Sequence, residues 1–182
     1  MPKMIIPTAN PKEKAMFERL NIRLVESLTV EEFEKIVSEY LTTHNVLNLA
    51  TCRNNDPRCT TLEYFNNGLT VYIFSEGGGK ILNIKENNLV SYTVNDPYHP
   101  EEDFFSAVGL QVWGRASIFK RFDDPKRAEE IKKYFRSEEA LKKQGLSEMA
   151  KQVNYNIITI EPLKIRYLDL RRGFRNVMWQ KE

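Results

Sequence analysis

The residues best equipped for chemistry by type and spacing form the run Phe74-Ser75-Glu76-Gly77-Gly78-Gly79-Lys80. Three consecutive glycines let backbone N–H groups turn toward one point, a helix starting behind them adds partial positive charge, and Lys80 adds a full one. That combination suits a phosphate and needs no metal. Taken alone, the segment fits a solvated hairpin tip equally well, so its surroundings decide. It is not a nucleotide P-loop, because Phe74 stands where that motif has its first glycine and Ile81 where it has Ser or Thr.

A second cation, Arg58, follows the turn Asn54-Asn55-Asp56-Pro57. An arginine after a turn is ordinarily solvated. His44 and His99 are the only histidines, and neither has triad or metal spacing. His44 closes a helix, where a cation near the negative end of the dipole is the plain reading, and His99 belongs to the polar loop Asp96-Pro97-Tyr98-His99-Pro100. Neither is expected to act as a catalytic base or haem ligand. Cys52 and Cys59 are too few for a disulfide scaffold or a zinc site. They flank the turn, so a simple hairpin register would set them opposite each other, as packed thiols in a reducing cytosol or as a pair open to reversible oxidation.

These residues must be held by a fold of modest size. A chain of 182 residues has length for one domain with a full core. With 41% apolar and 29% charged residues it reads as globular, and a net charge of +2 is too small for a nucleic-acid footprint. No apolar run approaches the roughly 18 residues that span a bilayer, and Met1-Pro2-Lys3-Met4-Ile5-Ile6-Pro7 is too short for a secretory signal, so a cytoplasmic protein without membrane contact is expected.

Residues 1–10 carry two prolines and no period, which predicts an arm. Phe17, Leu20, Leu24 and Leu28 predict a short helix over 12–28, and together these form an N-terminal segment, 1–28. Thr29-Val30-Glu31-Glu32 is a capping box, followed by the apolar stripe Phe33, Ile36, Val37, Tyr40 and Leu41. Six β-branched and aromatic runs follow, at 46–53, 58–65, 69–75, 89–95, 110–119 and 155–170. The first three have connections so short that a meander is expected. Helices are expected over 80–87, 126–136 and 138–152. The sum is a mainly-β domain over 29–182, a six-stranded antiparallel barrel with peripheral helices.

The order of Leu47-Asn48-Leu49-Ala50-Thr51, Asp56-Pro57-Arg58, the strand ending in the glycine–lysine loop, and Leu110-Gln111-Val112-Trp113-Gly114-Arg115-Ala116 resembles the pyridoxamine 5′-phosphate oxidase-related, FMN-binding split-barrel family over about residues 29–170. The resemblance implies a homodimer with FMN in a cleft between subunits. It implies FMN contacts from Arg58, Cys59, Thr60, Thr61 and Leu62, from Phe74 and Ser75, and from Lys80. Gln111 is a candidate for a flavin edge or a dimer contact, although the family's glutamine falls about two positions earlier, at Gly109 here. Trp113 reads as a packing or dimer residue. Trp179, in the C-terminal tail, either reaches the partner's flavin or is disordered. Glu63 replaces the lysine of the vitamin B6 oxidases, and their C-terminal Arg-x-His motif has no counterpart in residues 165–182, so that reaction is not expected. The implied activity is an FMN-dependent oxidation or reduction of a small, unidentified substrate. Alternatives are a non-enzymatic flavin carrier of the same fold, or, by analogy, a deazaflavin or haem protein.

Overall fold

A computed structural model describes residues 1–182. Two capping boxes set the helices before the sheet. Asn10 and Glu13 cap α1 (Pro11–Arg19), and Thr29 and Glu32 cap α2 (Val30–Thr43). Helix α1 is shorter than the expected helix over 12–28. Asn21 takes a positive φ of 55° just past its end, and the segment buries Phe17 and Ile22 rather than a Leu24–Leu28 stripe. Helix α2 buries Phe33, Val37, Tyr40 and Leu41, as its spacing requires.

The strands are β1 (Lys3–Ile5), β2 (Val46–Arg53), β3 (Asp56–Glu63), β4 (Phe65–Asn67), β5 (Thr70–Ser75), β6 (Leu89–Asn95), β7 (Val108–Lys120), β8 (Asn156–Asp169) and β9 (Phe174–Gln180). There are nine strands rather than six in one antiparallel sheet: seven run in the order β1-β9-β8-β7-β6-β2-β3, and β5 joins at β8 and carries β4. The arm expected over 1–10 contains β1, which pairs with β9.

Strands β2 and β3 are joined by Asn54 and Asn55, with φ of 51° and 60°, the left-handed pair that closes a two-residue hairpin. Because the turn is two residues rather than four, Cys59 faces Ala50 and Cys52 faces Pro57, so the thiols are staggered instead of opposed. The second expected hairpin forms only between β4 and β5, across Gly68 and Leu69, so the expected meander is broken between β3 and β5. Strand β5 pairs with β4 and with β8, from Val71↔Ile160 to Ser75↔Asn156, and not with β3. Strand β8 carries β7 along one side and divides its other side between β5 and β9. The sheet therefore curls around its core without closing, and one edge of β3 has no partner strand.

Leu47 and Leu49 on β2, Val71 and Ile73 on β5, and Val112 on β7 are fully buried beneath α2. Trp179, read as a tail residue, lies in this core on β9, 4% exposed, and its Nε1–H donates to Glu34 Oε1 at 2.9 Å. Neither a disordered tail nor a reach to a partner fits that position. A satellite core forms on the other face of β5. There Phe65 and Ile157 pack against Ala128 and Ile131 of α4 (Pro125–Lys132), which is followed by α5 (Glu138–Lys143) and α6 (Ser147–Gln152). The helix expected over 138–152 is split by Gly145, at a φ of 70°.

Candidate functional site

Helix α3 (Gly79–Glu86) follows β5 through the glycine run, and its N-cap Gly78 has a φ of 96°, a backbone cheap only for glycine. Lys80 Nζ donates to the Gly77 carbonyl at 3.0 Å, and the buried Ser75 hydroxyl reaches the same oxygen at 3.4 Å. Asn156 fixes the loop from β8, its Nδ2 donating to the carbonyls of Ser75 and Glu76 at 3.2 and 3.1 Å. Asn83 pins α3 to β2 by donating to Thr51 Oγ1 at 3.0 Å.

Thr51 is also the register partner of Arg58, so the same anchor brings β3 to the head of α3. A Cβ on Gly79 would lie 2.9 Å from Arg58 Nη1, meaning that the guanidinium rests on the bare face of that glycine. Neither Arg58 nor Lys80 belongs to any of the chain's ion pairs. Burial, and then the charge of Arg58, hold the Lys80 ammonium below its ordinary pKa. Two cations meeting at a glycine loop, with no acidic partner of the chain between them, are arranged for an external anion.

In the ligand-free chain Lys80 binds fewer protons folded than unfolded, so its contribution to stability grows as pH rises through the lowered value toward 10.5. A bound dianion favours the charged form, so phosphate-ligand affinity should fall through that same alkaline window. Titrating the affinity for a phosphomonoester from about pH 7 to 10.5 should show the fall, and Lys80→Arg should remove it because arginine stays charged.

The other expected residues are divided between two faces. Thr60 and Leu62 share the face of Arg58, opposite Leu49 and Leu47, whereas Cys59 and Thr61 lie on the outer face, where Thr61 Oγ1 donates to Asn48 Oδ1 at 2.8 Å. Gln111 lies on that outer face too, in the row Thr61↔Asn48↔Thr93↔Gln111, three strands from β3 and therefore about 14 Å away. Trp113 is covered by Lys164 Nζ, 4.7 Å from its ring centre, and by the Arg166 guanidinium at 5.7 Å. Phe74 turns its ring into the satellite core, with centroids 4.5 Å from Tyr155 and 4.6 Å from Phe65, which leaves only its backbone near the loop. Trp179 is held in the main core. The structure thus brings Arg58, Ser75 and Lys80 together, and sets Gln111, Phe74 and Trp179 apart from them.

Both ring nitrogens of His44 are engaged, Nε2 with Asp96 Oδ1 at 2.7 Å and Nδ1 with the Tyr40 carbonyl at 2.8 Å. His99 is exposed beside Glu101. No group of three or more His, Cys, Asp or Glu side chains converges as a metal site. The residues that sequence reasoning missed are Thr51, Asn83 and Asn156. Their signal was a polar side chain on an otherwise apolar face: Thr51 continues the buried alternation of Leu47 and Leu49, and Asn83 lies between Ile81 and Ile84.

No curated protein sequence matches the chain. Among solved structures, a FAD-binding protein from Mesorhizobium loti is 17% identical, with 85% of this chain and 96% of that one covered at a TM-score of 0.53. HutZ, the haem storage protein of Vibrio cholerae, is 18% identical over 71% of this chain and 89% of its own, at 0.55. Rv2991 of Mycobacterium tuberculosis is 16% identical over 82% and 91%, at 0.58. Similarity at these identities establishes the fold alone. A sequence model of pyridoxamine 5′-phosphate oxidase matches residues 33–169, from the first buried residue of α2 to the last residue of β8 and well over half of the chain. With the open antiparallel barrel already described, this match makes the chain a member of the pyridoxamine 5′-phosphate oxidase family.

Proposed function

We propose that the chain is an FMN-binding flavoprotein that works as a cytoplasmic homodimer and oxidises or reduces a small substrate. The observation that carries this reading is the convergence of Arg58 and Lys80 on the Gly77–Gly79 loop without an anionic partner from the chain. Arg58 and Lys80 would hold the phosphate dianion, and Ser75 with the loop N–H groups would complete its hydrogen bonds. The unpaired edge of β3 offers backbone donors and acceptors to the ring system, beside Thr60 and Leu62. When bound, the flavin supplies hydride transfer, while the protein supplies position and electrostatics.

Two features support a dimer. The outer sheet face carries the small residues Ala50, Ser91 and Thr93 beside Trp113 and Gln111, side chains short enough to leave room for a second sheet. The free edge of β3 lies on the border of that face. Glu63 accepts a hydrogen bond from the Ser137 hydroxyl at 2.8 Å, which commits it to the fold rather than to a phosphorylated substrate. No helix is long and apolar enough to cross a membrane.

The test is the visible spectrum and mass of whatever co-purifies, followed by titration of added FMN. A flavin spectrum and one-to-one quenching of FMN fluorescence support the reading; absence of both ends it, and a Soret band would assign haem instead. Bound flavin that nicotinamide and other reductants fail to turn over would make the protein a carrier. Gly79→Ala offers a finer check. Its Cβ would meet only the far end of the flexible Arg58 side chain, so the fold should tolerate it. Displacing the guanidinium should weaken FMN about tenfold, the loss of roughly 1.4 kcal/mol from a charge-assisted contact, with the melting temperature unchanged.

A further inference from the structure

Helices α4–α6 and the end of β5 line a half-open cavity of about 300 Å³ on the satellite core, on the opposite side of β5 from the barrel interior. Its apolar walls are Phe74, Phe135, Leu141, Met149, Val153 and Tyr155. Phe74 holds two of these rings against itself, with Tyr155 at a centroid distance of 4.5 Å and Phe135 at 5.3 Å, so one side of the cavity is a continuous aromatic surface. Such a surface suits a flat ring by offset or edge contacts.

The polar groups at the cavity discriminate between ligands by charge. Every cation bordering it already has partners. Arg121 Nη1 donates to the carbonyls of Ala150 and Lys151 at 2.9 and 3.2 Å, Lys132 lies 3.5 Å from Glu138, and Lys151 lies 2.6 Å from Glu148. These partners already offset the cations, and Glu76 and Glu138 add negative charge to the wall, so an anionic ligand finds no uncompensated cation here. Ser147 is the opposite case: the residue borders the cavity, and its hydroxyl oxygen lies buried just beneath the cavity surface with no hydrogen-bond partner in the protein. A buried hydroxyl left unpaired is costly, and rotation of the Ser147 side chain toward the cavity would let a neutral donor or acceptor on a ligand satisfy it. The volume is about twice the roughly 150 Å³ of an engineered apolar cavity that takes benzene, which corresponds to two fused rings.

We infer that the cavity between β5 and α4–α6 is a second binding site, for a neutral, planar, one- or two-ring aromatic molecule with a single hydrogen-bonding group directed at Ser147. The inference does not depend on flavin binding: Arg58 and Lys80 do not border this cavity, and Ser75, which does, is the one residue it shares with the proposed phosphate site.

Calorimetric titration of the purified full chain with 2-naphthol tests it. The expected result is saturable one-to-one binding that Ala150→Trp, which fills the cavity, weakens at least tenfold while leaving FMN affinity unchanged. Ser147→Ala should weaken 2-naphthol about fivefold and leave naphthalene unaffected, and 2-naphthoate should bind more weakly than 2-naphthol. No saturable 2-naphthol binding, undiminished binding in folded Ala150→Trp, or tighter binding of the carboxylate would each overturn the inference. Should Ala150→Trp lose its far-UV dichroism, Ser147→Ala decides alone: an equal effect on naphthol and naphthalene, or none on either, overturns it.

Discussion

Gly173→Ala should cost the fold about 3 kcal/mol or more, seen as a lower urea midpoint with an unchanged slope. Gly173 ends the short helical turn Leu170–Arg172 between β8 and β9, at a φ of 82°. An L-residue held there costs about 1–2 kcal/mol before any contact is counted. The contact is severe: a Cβ would lie 2.1 Å from the Arg23 carbonyl oxygen and 3.1 Å from Val25 N, both backbone atoms. Relief requires the 20–28 segment to move away, and with it goes the bond from Val25 N–H to the Gly173 carbonyl at 3.0 Å, worth about 1 kcal/mol. Gly68 is the internal control. Its φ is 56° but nothing lies within 4 Å of its Cβ position, so Gly68→Ala should cost only the backbone share, about 1 kcal/mol. A loss below 1 kcal/mol in Gly173→Ala would show that the N-terminal segment yields freely, contrary to the packing described.

The double variant Arg58→Ala/Lys80→Ala should weaken FMN by two to four orders of magnitude, measured by fluorescence quenching. Each cation contributes about 1.5–3 kcal/mol if it donates to the phosphate, and together roughly 3–6 kcal/mol. The single variants need not sum to the double, since each cation raises the electrostatic cost of the other when no anion is present. That repulsion gives the prediction its second readout. Burial and Arg58 already disfavour the Lys80 charge, so Lys80→Ala should leave the ligand-free protein as stable as before, or more so, while its FMN affinity drops. Ligand and fold responding in opposite directions is the mark of a binding group, and a parallel loss of both would indicate a structural one.

Local features of the sequence were legible. Strands β2 and β6 begin and end where their alternation begins and ends, and the Thr29–Glu32 capping box opens α2 as expected. The glycine run does lead into a helix, and Arg58 does approach it. What the sequence hid is pairing at a distance. Nothing in Val71–Ser75 announces that its partner is Ile160–Asn156, so a short connection was read as a meander. Strand β9 escaped because Asn176, at a φ of 52°, interrupts its alternation, and because terminal residues resemble a tail until β1 and β8 are seen to flank it. Phe74 shows the same limit at the site. Its position in the chain is beside the loop, but the two-residue period of a strand sends its ring to the opposite face from Ser75.

The division of β8 between β5 and β9 bears on how the molecule must be made. Strand β5 leaves the ribosome before its partner, with 81 residues separating Ser75 from Asn156. Closing a chain loop of that length costs roughly 4 kcal/mol plus a constant, recovered only once β8 exists to be paired. Until then a nascent chain carries Val71 and Ile73 on a strand whose β8-facing edge has no neighbour, the kind of edge that other growing polypeptides can join. Premature termination anywhere before Asn156 should therefore yield aggregates rather than a smaller barrel.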